Sequence, residues 1–233
     1  MIIRTIIFYG VLYFWTIFLG IICVPYLFLP SKLIKFPALI WIKVIFFLLE
    51  KICGITHEIR GLENVPNEPL IIVSKHQSAF ETFALYYYLN NCFFIHKKQL
   101  FYIPIFGQYL FKANMVSINR SGGANTMRKM LHKVKMRMNT GSSIIIFPEG
   151  TRKKPGEKPD YKTGFVGIYK EVNRKILPVA LNSGLFWPKQ NFIIKKGHIV
   201  IDIKECIEQN LNKDLAFNLT RETIENATNK ILF

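Results

Sequence analysis

The sequence predicts an α/β fold, a mixed central sheet flanked by helices, with an N-terminal membrane-binding helical segment or hairpin. Two patterns carry this reading. Short runs dense in Ile, Val and Phe, at 70–73, 142–147 and 199–203, are separated by stretches with helical apolar spacing, at 80–88, 125–139 and 164–172. Strands that alternate with helices bury a sheet on both faces. Ahead of them, residues 5–31 form 27 consecutive uncharged positions, more than the roughly 20 that a helix needs to cross a bilayer core.

The first fifty residues hold two apolar runs. Pro25 and Pro30 break the end of the first, Pro30-Ser31-Lys32 reads as a turn, and residues 36–49 form the second, interrupted only by Lys43. A cleaved signal peptide fits poorly, because the run is too long and no small-x-small site follows it. A spanning helix, a hairpin dipping into one leaflet with Lys32, Lys35 and Lys43 snorkelling, and a pair of buried core helices all remain open. Lysines after the first run outnumber Arg4 before it, which favours the cytoplasmic side of the membrane for the remainder. The expected division is residues 1–53 as anchoring helices and 54–233 as the α/β domain.

Charge narrows the partners. The 233 residues carry 31 Lys plus Arg against 15 Asp plus Glu, a net +16, with 50% hydrophobic residues. A chain this basic and this apolar suits an anionic membrane surface or a phosphorylated ligand better than nucleic acid. Cys23, Cys53, Cys92 and Cys206 lie far apart without C-x-x-C spacing, and His57, His76, His96, His132 and His198 lack ligand spacing. We expect reduced thiols and no metal.

Taken in order, residues 56–60 and 70–74 read as strands. The second is apolar on both faces, as a strand in a helix-covered sheet should be. After it comes Lys75-His76-Gln77-Ser78-Ala79-Phe80-Glu81-Thr82, then Phe83, Ala84, Tyr87 and Tyr88 at helical spacing. His76 therefore falls in a strand-to-helix turn, where α/β sheets place ligand sites. A histidine with a carboxylate five positions on can pair as a base and its orienting acid. The same letters also fit a capping box, with Ser78 as N-cap and Glu81 reaching back, so this stretch by itself leaves both readings open.

Residues 91–95 form the next expected strand, followed by Lys97-Lys98 and an aromatic segment broken by Pro104 and Gly107. Residues 115–118 are a short strand, and 125–139 a helix with Arg128, Lys129, Lys133, Lys135 and Arg137 opposite its apolar face. The strand 142–147 ends in Pro148-Glu149-Gly150-Thr151-Arg152, a tight turn in which Arg152 can offer its planar fork to phosphate. Tyr161-Lys162-Thr163-Gly164 leads into another helix. The strand 175–180 contains Pro178, which predicts an edge position or a bulge. A strand at 199–203 and a helix over 210–233 complete the chain.

Four blocks in this order, His76-x4-Glu81, Ser117-Ile118-Asn119-Arg120, Phe147 through Arg152, and Ile176-Leu177-Pro178-Val179, resemble those of the glycerolipid acyltransferases, in particular the bacterial branch acting on lysophosphatidate. The similarity runs from about Gly61 to about Val200. Two positions depart from the family pattern: Lys75 stands where Asn is most common, and Glu81 where Asp is, so the turn must accommodate one more methylene. The resemblance implies transfer of a fatty acyl group from acyl-CoA or acyl-carrier protein to the sn-2 hydroxyl of lysophosphatidate, giving phosphatidate, without an acyl-enzyme and without a cofactor.

It further implies His76 as base and Glu81 as its orienting acid. Lys97, Arg120, Glu149, Gly150, Thr151, Arg152 and Lys162 would bind the acceptor, with Glu149 on a glycerol hydroxyl or positioning Arg152. Ile176, Leu177, Pro178 and Val179 would line the acyl-chain path. Alternatives are acyl transfer to another lysophospholipid, a Ser78 or Cys92 nucleophile, and a non-catalytic basic protein bound to membranes.

Overall fold

The computed structural model describes residues 1–118, 123–157 and 160–232. Its strands are β1 (Ile55–Arg60), β2 (Ile71–Ser74), β3 (Cys92–Lys97), β4 (Val116–Ile118), β5 (Ser143–Ile146), β6 (Ile176–Leu181) and β7 (Gly197–Ile203). They pair into a seven-stranded sheet in the order β1-β7-β6-β2-β5-β3-β4. Only β6 and β7 run antiparallel, so the sheet is mixed, in agreement with the sequence. The helices are α1 (Ile2–Ile22), α2 (Lys35–Leu48), α3 (Phe80–Tyr88), α4 (Phe106–Lys112), α5 (Gly123–Asn139), α6 (Gly164–Val172) and α7 (Lys213–Leu232).

Strand alternation divides the core into two layers. Ile72, Leu177 and Ile201 face Phe8 of α1, Ile45 of α2 and Phe80 of α3. Ile71, Val73 and Ile144 face Val134 of α5, Phe165 of α6 and Ile224 of α7. Side chains at successive strand positions point to opposite faces, so the uninterrupted apolar run of β2 serves both layers. Each such residue gains roughly 1.5–3 kcal/mol on burial, which makes β2 and its neighbour β5 a stiff base for the turns that follow them. The connection after β2 runs through α3 on one face, and that after β5 leads to α6 on the other. Their carboxyl ends therefore open a crevice, the usual ligand position in open α/β sheets.

Pro178 does not mark an edge. β6 lies inside the sheet between β7 and β2. Its partner changes register by one residue, from Val179 opposite Ile203 to Ile176 opposite Ile207, and Pro178 offers only its carbonyl, to the Lys204 N–H at 2.9 Å. The missing donor thus falls where the ladder slips, which is the bulge alternative.

The N-terminal helices lean on the domain while leaving much of their surface bare. Phe8 and Ile45 are fully buried, whereas Ile3, Ile6, Phe14, Ile17 and Ile21 are exposed. Helix α1 is long and apolar enough to cross a membrane, and its surface is mostly uncovered, so it is not an enclosed core helix. Trp41 Nε1 of α2 donates to Thr16 Oγ1 of α1 at 3.0 Å, and Trp187 Nε1 donates to Tyr9 Oη at 2.9 Å. These two bonds fix the helices to each other and to the loop after β6.

Candidate active site

The turn after β2 is built around the Glu81 carboxylate. One oxygen, Oε1, accepts the Gln77 and Ser78 backbone N–H groups, both at 2.7 Å, and lies 2.8 Å from His76 Nδ1. The other, Oε2, accepts the Ser183 hydroxyl at 2.7 Å. Ser78 Oγ accepts the Phe80 N–H at 3.1 Å, which satisfies a donor in the first turn of α3. Helix α3 takes Ala79, not Ser78, as its N-cap, so the capping box forms only in part; the Glu81 oxygen that accepts the Ser78 N–H is also the one that orients the imidazole.

Two backbone N–H groups and the Ser183 hydroxyl already donate to this carboxylate, so it stands as the acceptor in each of its bonds. The His76 Nδ1–H therefore donates a hydrogen bond to Glu81 Oε1, which leaves Nε2 as an acceptor. The ring stacks on Phe147 with centroids 4.0 Å apart, and the His76 side chain remains 16% exposed against 0% for Glu81. The geometry presents one basic nitrogen outward and buries its partner.

Outward lies a cavity of about 1700 Å³, larger than the roughly 300–1,000 Å³ of ordinary small-molecule pockets. Its polar end holds His76, Lys97, Glu149, Gly150, Thr151, Arg152, Lys153, Lys162 and Lys189. Its apolar end runs between the N-terminal helices and α3–α4, past Leu19, Pro37, Trp41, Phe83, Phe106 and Tyr109. Gly150, at φ +66°, adopts the left-handed conformation that turns the chain after β5, closed by its N–H to the Phe147 carbonyl at 3.0 Å. Lys153 and Lys162 pair with Glu157 and Asp160, while among the described residues Lys97, Arg152 and Lys189 form no ion pair. Lys189 Nζ donates to Thr151 Oγ1 at 3.1 Å.

Glu149 behaves differently from its neighbours. It is buried, Oε1 accepts the His76 N–H at 3.3 Å and lies 3.4 Å from Lys75 Nζ, and Oε2 is buried with no partner among the described residues. Burial pushes its carboxyl above the ordinary range, against the pull of Lys75 and of the His76 N–H. No hydrogen bond joins it to Arg152 among the described residues, so it holds the His76 backbone rather than the guanidinium. Lys153 N–H completes that grip by donating to the His76 carbonyl at 2.8 Å.

The acyltransferase family profile matches residues 56–182, over half of the 233 residues. The chain belongs to the acyltransferase family. It is similar to a 1-acyl-sn-glycerol-3-phosphate acyltransferase of Pseudomonas aeruginosa, 32% identical over 163 residues that cover 70% of this chain and 63% of the relative. It is also similar to one of Chlamydomonas reinhardtii, 26% identical over 168 residues that cover 70% of this chain and 50% of the relative. The matched part is thus less than two thirds of either curated relative. The crystal structure of the Thermotoga maritima 1-acyl-sn-glycerophosphate (LPA) acyltransferase PlsC superposes with a TM-score of 0.80 at 22% identity, covering 99% of this chain and 95% of that one. That likeness establishes the fold.

In this acyltransferase-family chain, one cavity brings together His76, Lys97, Glu149, Gly150, Thr151, Arg152 and Lys162, with Glu81 directly behind His76. Arg120 lies outside the described residues. The expected acyl-path block needs correction. Ile176, Leu177, Pro178 and Val179 are buried in an interior strand and none lines the cavity. Their apolarity serves the two core layers, and the cavity's apolar lining includes residues of α1, α2, α3 and α4 instead.

Sequence reasoning also missed Ser183, Lys153 and Lys189, which reach the site from loops that carry no motif. Neither alternative nucleophile is placed to react. Ser78 and Cys92 are buried and line no part of the cavity, and burial holds the Cys92 thiol up at about 12.

Proposed function

We propose that the chain transfers a fatty acyl group from an acyl-CoA or acyl-carrier-protein thioester to the sn-2 hydroxyl of lysophosphatidate. What supports the reading most is the bare His76 Nε2, fixed by Glu81 at the junction between a basic cluster and a long apolar chamber. The hydroxyl oxygen attacks the thioester carbonyl while His76 Nε2 removes its proton, and Glu81 stabilises the imidazolium that forms. As the tetrahedral adduct collapses, the C–S bond breaks, the proton passes from His76 to the leaving thiolate, and phosphatidate remains. Each substrate and product is accounted for without an acyl-enzyme or a cofactor.

The cations divide the binding work. Arg152 holds the acceptor's phosphate through its planar fork, and Lys97 and Lys162 add charge at the same mouth. Gly150 and Thr151 shape the backbone around that headgroup, and Glu149 steadies His76. The fatty acyl chain lies in the apolar chamber. Residues 1–53 attach the protein to the cytoplasmic face of a bacterial inner membrane, α1 offering its bare aromatic and aliphatic face to lipid, and residues 54–233 carry out the chemistry.

The deciding experiment is His76→Ala, assayed with lysophosphatidate and both donor types. Turnover falls by about 10²–10⁴, while binding to liposomes and thermal stability stay near those of the parent protein. Turnover at the parent rate would refute the assignment of the base.

A further inference from the structure

The residue before the base is a lysine enclosed on all sides. Lys75 is 1% exposed, yet it does not line the large cavity with its neighbour His76. Lys75 instead borders a separate small cavity with Glu225 and Thr228. It therefore cannot meet a substrate bound beside His76.

Its partners are specific. Lys75 Nζ lies 2.7 Å from Glu225 Oε1 on α7 and 3.4 Å from Glu149 Oε1. It also sits 5.9 Å from the centre of the Tyr161 ring, whose hydroxyl donates to the same Glu225 oxygen at 2.8 Å. The Glu149 oxygen that faces Lys75 is the one that accepts the His76 N–H. An unbroken chain of charge-assisted contacts thus runs from the C-terminal helix to the backbone of the base.

We propose that Lys75 is a positioning residue for acyl transfer: anchored by Glu225 of α7, its ammonium holds the Glu149 carboxylate that fixes the His76 backbone. The proposal rests on the reading of His76 as the base. A buried carboxylate tolerates its charge only when paired and hydrogen-bonded. Without Lys75, Glu149 takes up a proton or turns towards the cavity mouth, and either change weakens the acceptor that His76 N–H uses. Helix α7, remote from the cavity, then becomes part of what sets the height of the imidazole.

The test compares Lys75→Met, Lys75→Arg, Glu149→Gln and the Lys75→Met/Glu149→Gln double variant in the full-length chain. Steady-state kinetics are read alongside hydrogen exchange of the peptide spanning residues 71–82. Lys75→Met lowers kcat by roughly 10–100-fold through misplacement of the base, leaves both KM values within about twofold, and speeds exchange in that peptide. Lys75→Arg recovers most of the loss. Because Lys75 acts through Glu149, adding Lys75→Met to Glu149→Gln costs less than about threefold more in kcat and adds little further exchange, non-additivity being the mark of one shared path.

Losses that multiply, or parent-like kcat and exchange in Lys75→Met, would overturn the proposal. If Lys75→Met fails to fold, the double variant, which leaves no charge buried between the two positions, is compared with Glu149→Gln, and the same criterion applies. A failure of the base assignment looks different: His76→Ala would keep its turnover, while Lys75→Met would still loosen the peptide.

Discussion

The two ends of the cavity are held in place by opposite means. At the polar end, each atom that fixes His76 is a hydrogen-bonding group with a counted partner: three donors on Glu81 Oε1, Ser183 on Oε2, and Glu149 and Lys153 on the His76 backbone. At the apolar end the wall is aromatic and aliphatic surface from several separate elements, joined by a few long-range bonds such as Tyr109 Oη to the Gly20 carbonyl at 2.9 Å. Directional contacts fix a proton acceptor to a fraction of an ångström. Shape contacts only bound a volume. Disturbing the first should therefore change the rate for every substrate, and disturbing the second should change which substrate is preferred.

The sharpest way to break that contrast is Glu81→Gln. The carboxamide keeps the size but lacks the charge that, in the proposed mechanism, stabilises the imidazolium, and its NH₂ must face a donor, either the Ser183 hydroxyl or the cluster of N–H groups at Gln77 and Ser78. The expected loss in kcat is on the order of 10³–10⁴, equal for short and long donors, with little change in either KM. A loss confined to one chain length would show that the polar end also reads shape.

How much of this was legible beforehand follows the same divide. The strand ends, the helix after His76 and the turn at Glu149–Gly150 are local, and local chemistry is written in adjacent letters: a capping residue, a glycine, a proline after an apolar run. The apolar end is not local. Leu19, Trp41, Phe83 and Tyr109 come from four helices, and nothing in their spacing announces a shared chamber. The Ile176–Val179 block misled for a related reason, since an interior strand and a lipid path are equally apolar in sequence. Lys75 was visible as a departure from the family pattern. Its partner Glu225 is 150 residues away on α7, and only the fold joins them.

A smaller effect is expected at the cavity mouth. Arg152→Lys keeps one positive charge but replaces a planar fork with a point charge. The KM for lysophosphatidate should rise roughly tenfold, about 1.4 kcal/mol, while the donor's KM stays within about twofold and kcat at saturation is little altered. Measured with both substrates varied, an equal rise in the two constants would mean that Arg152 supports the loop rather than the acceptor's phosphate.

The smallest change in rate, and the largest in preference, belongs to Trp41. Its ring meets Phe83 edge-on at 5.0 Å and its indole N–H is committed to Thr16, so it forms a fixed partition between α2 and α3. Trp41→Ala removes that partition without touching a group that carries a proton. A methylene accommodated in an apolar pocket is worth about 1–3 kcal/mol of discrimination, so widening the chamber should move the optimum towards longer or bulkier acyl donors. Turnover of the shortest donors should change by less than about threefold, because the Glu81–His76 geometry is untouched. Competition between donors of different length in one reaction reads this ratio directly. A uniform loss across all lengths would instead mean that Trp41 holds the helices against the domain, and that the two ends of the cavity are not separable.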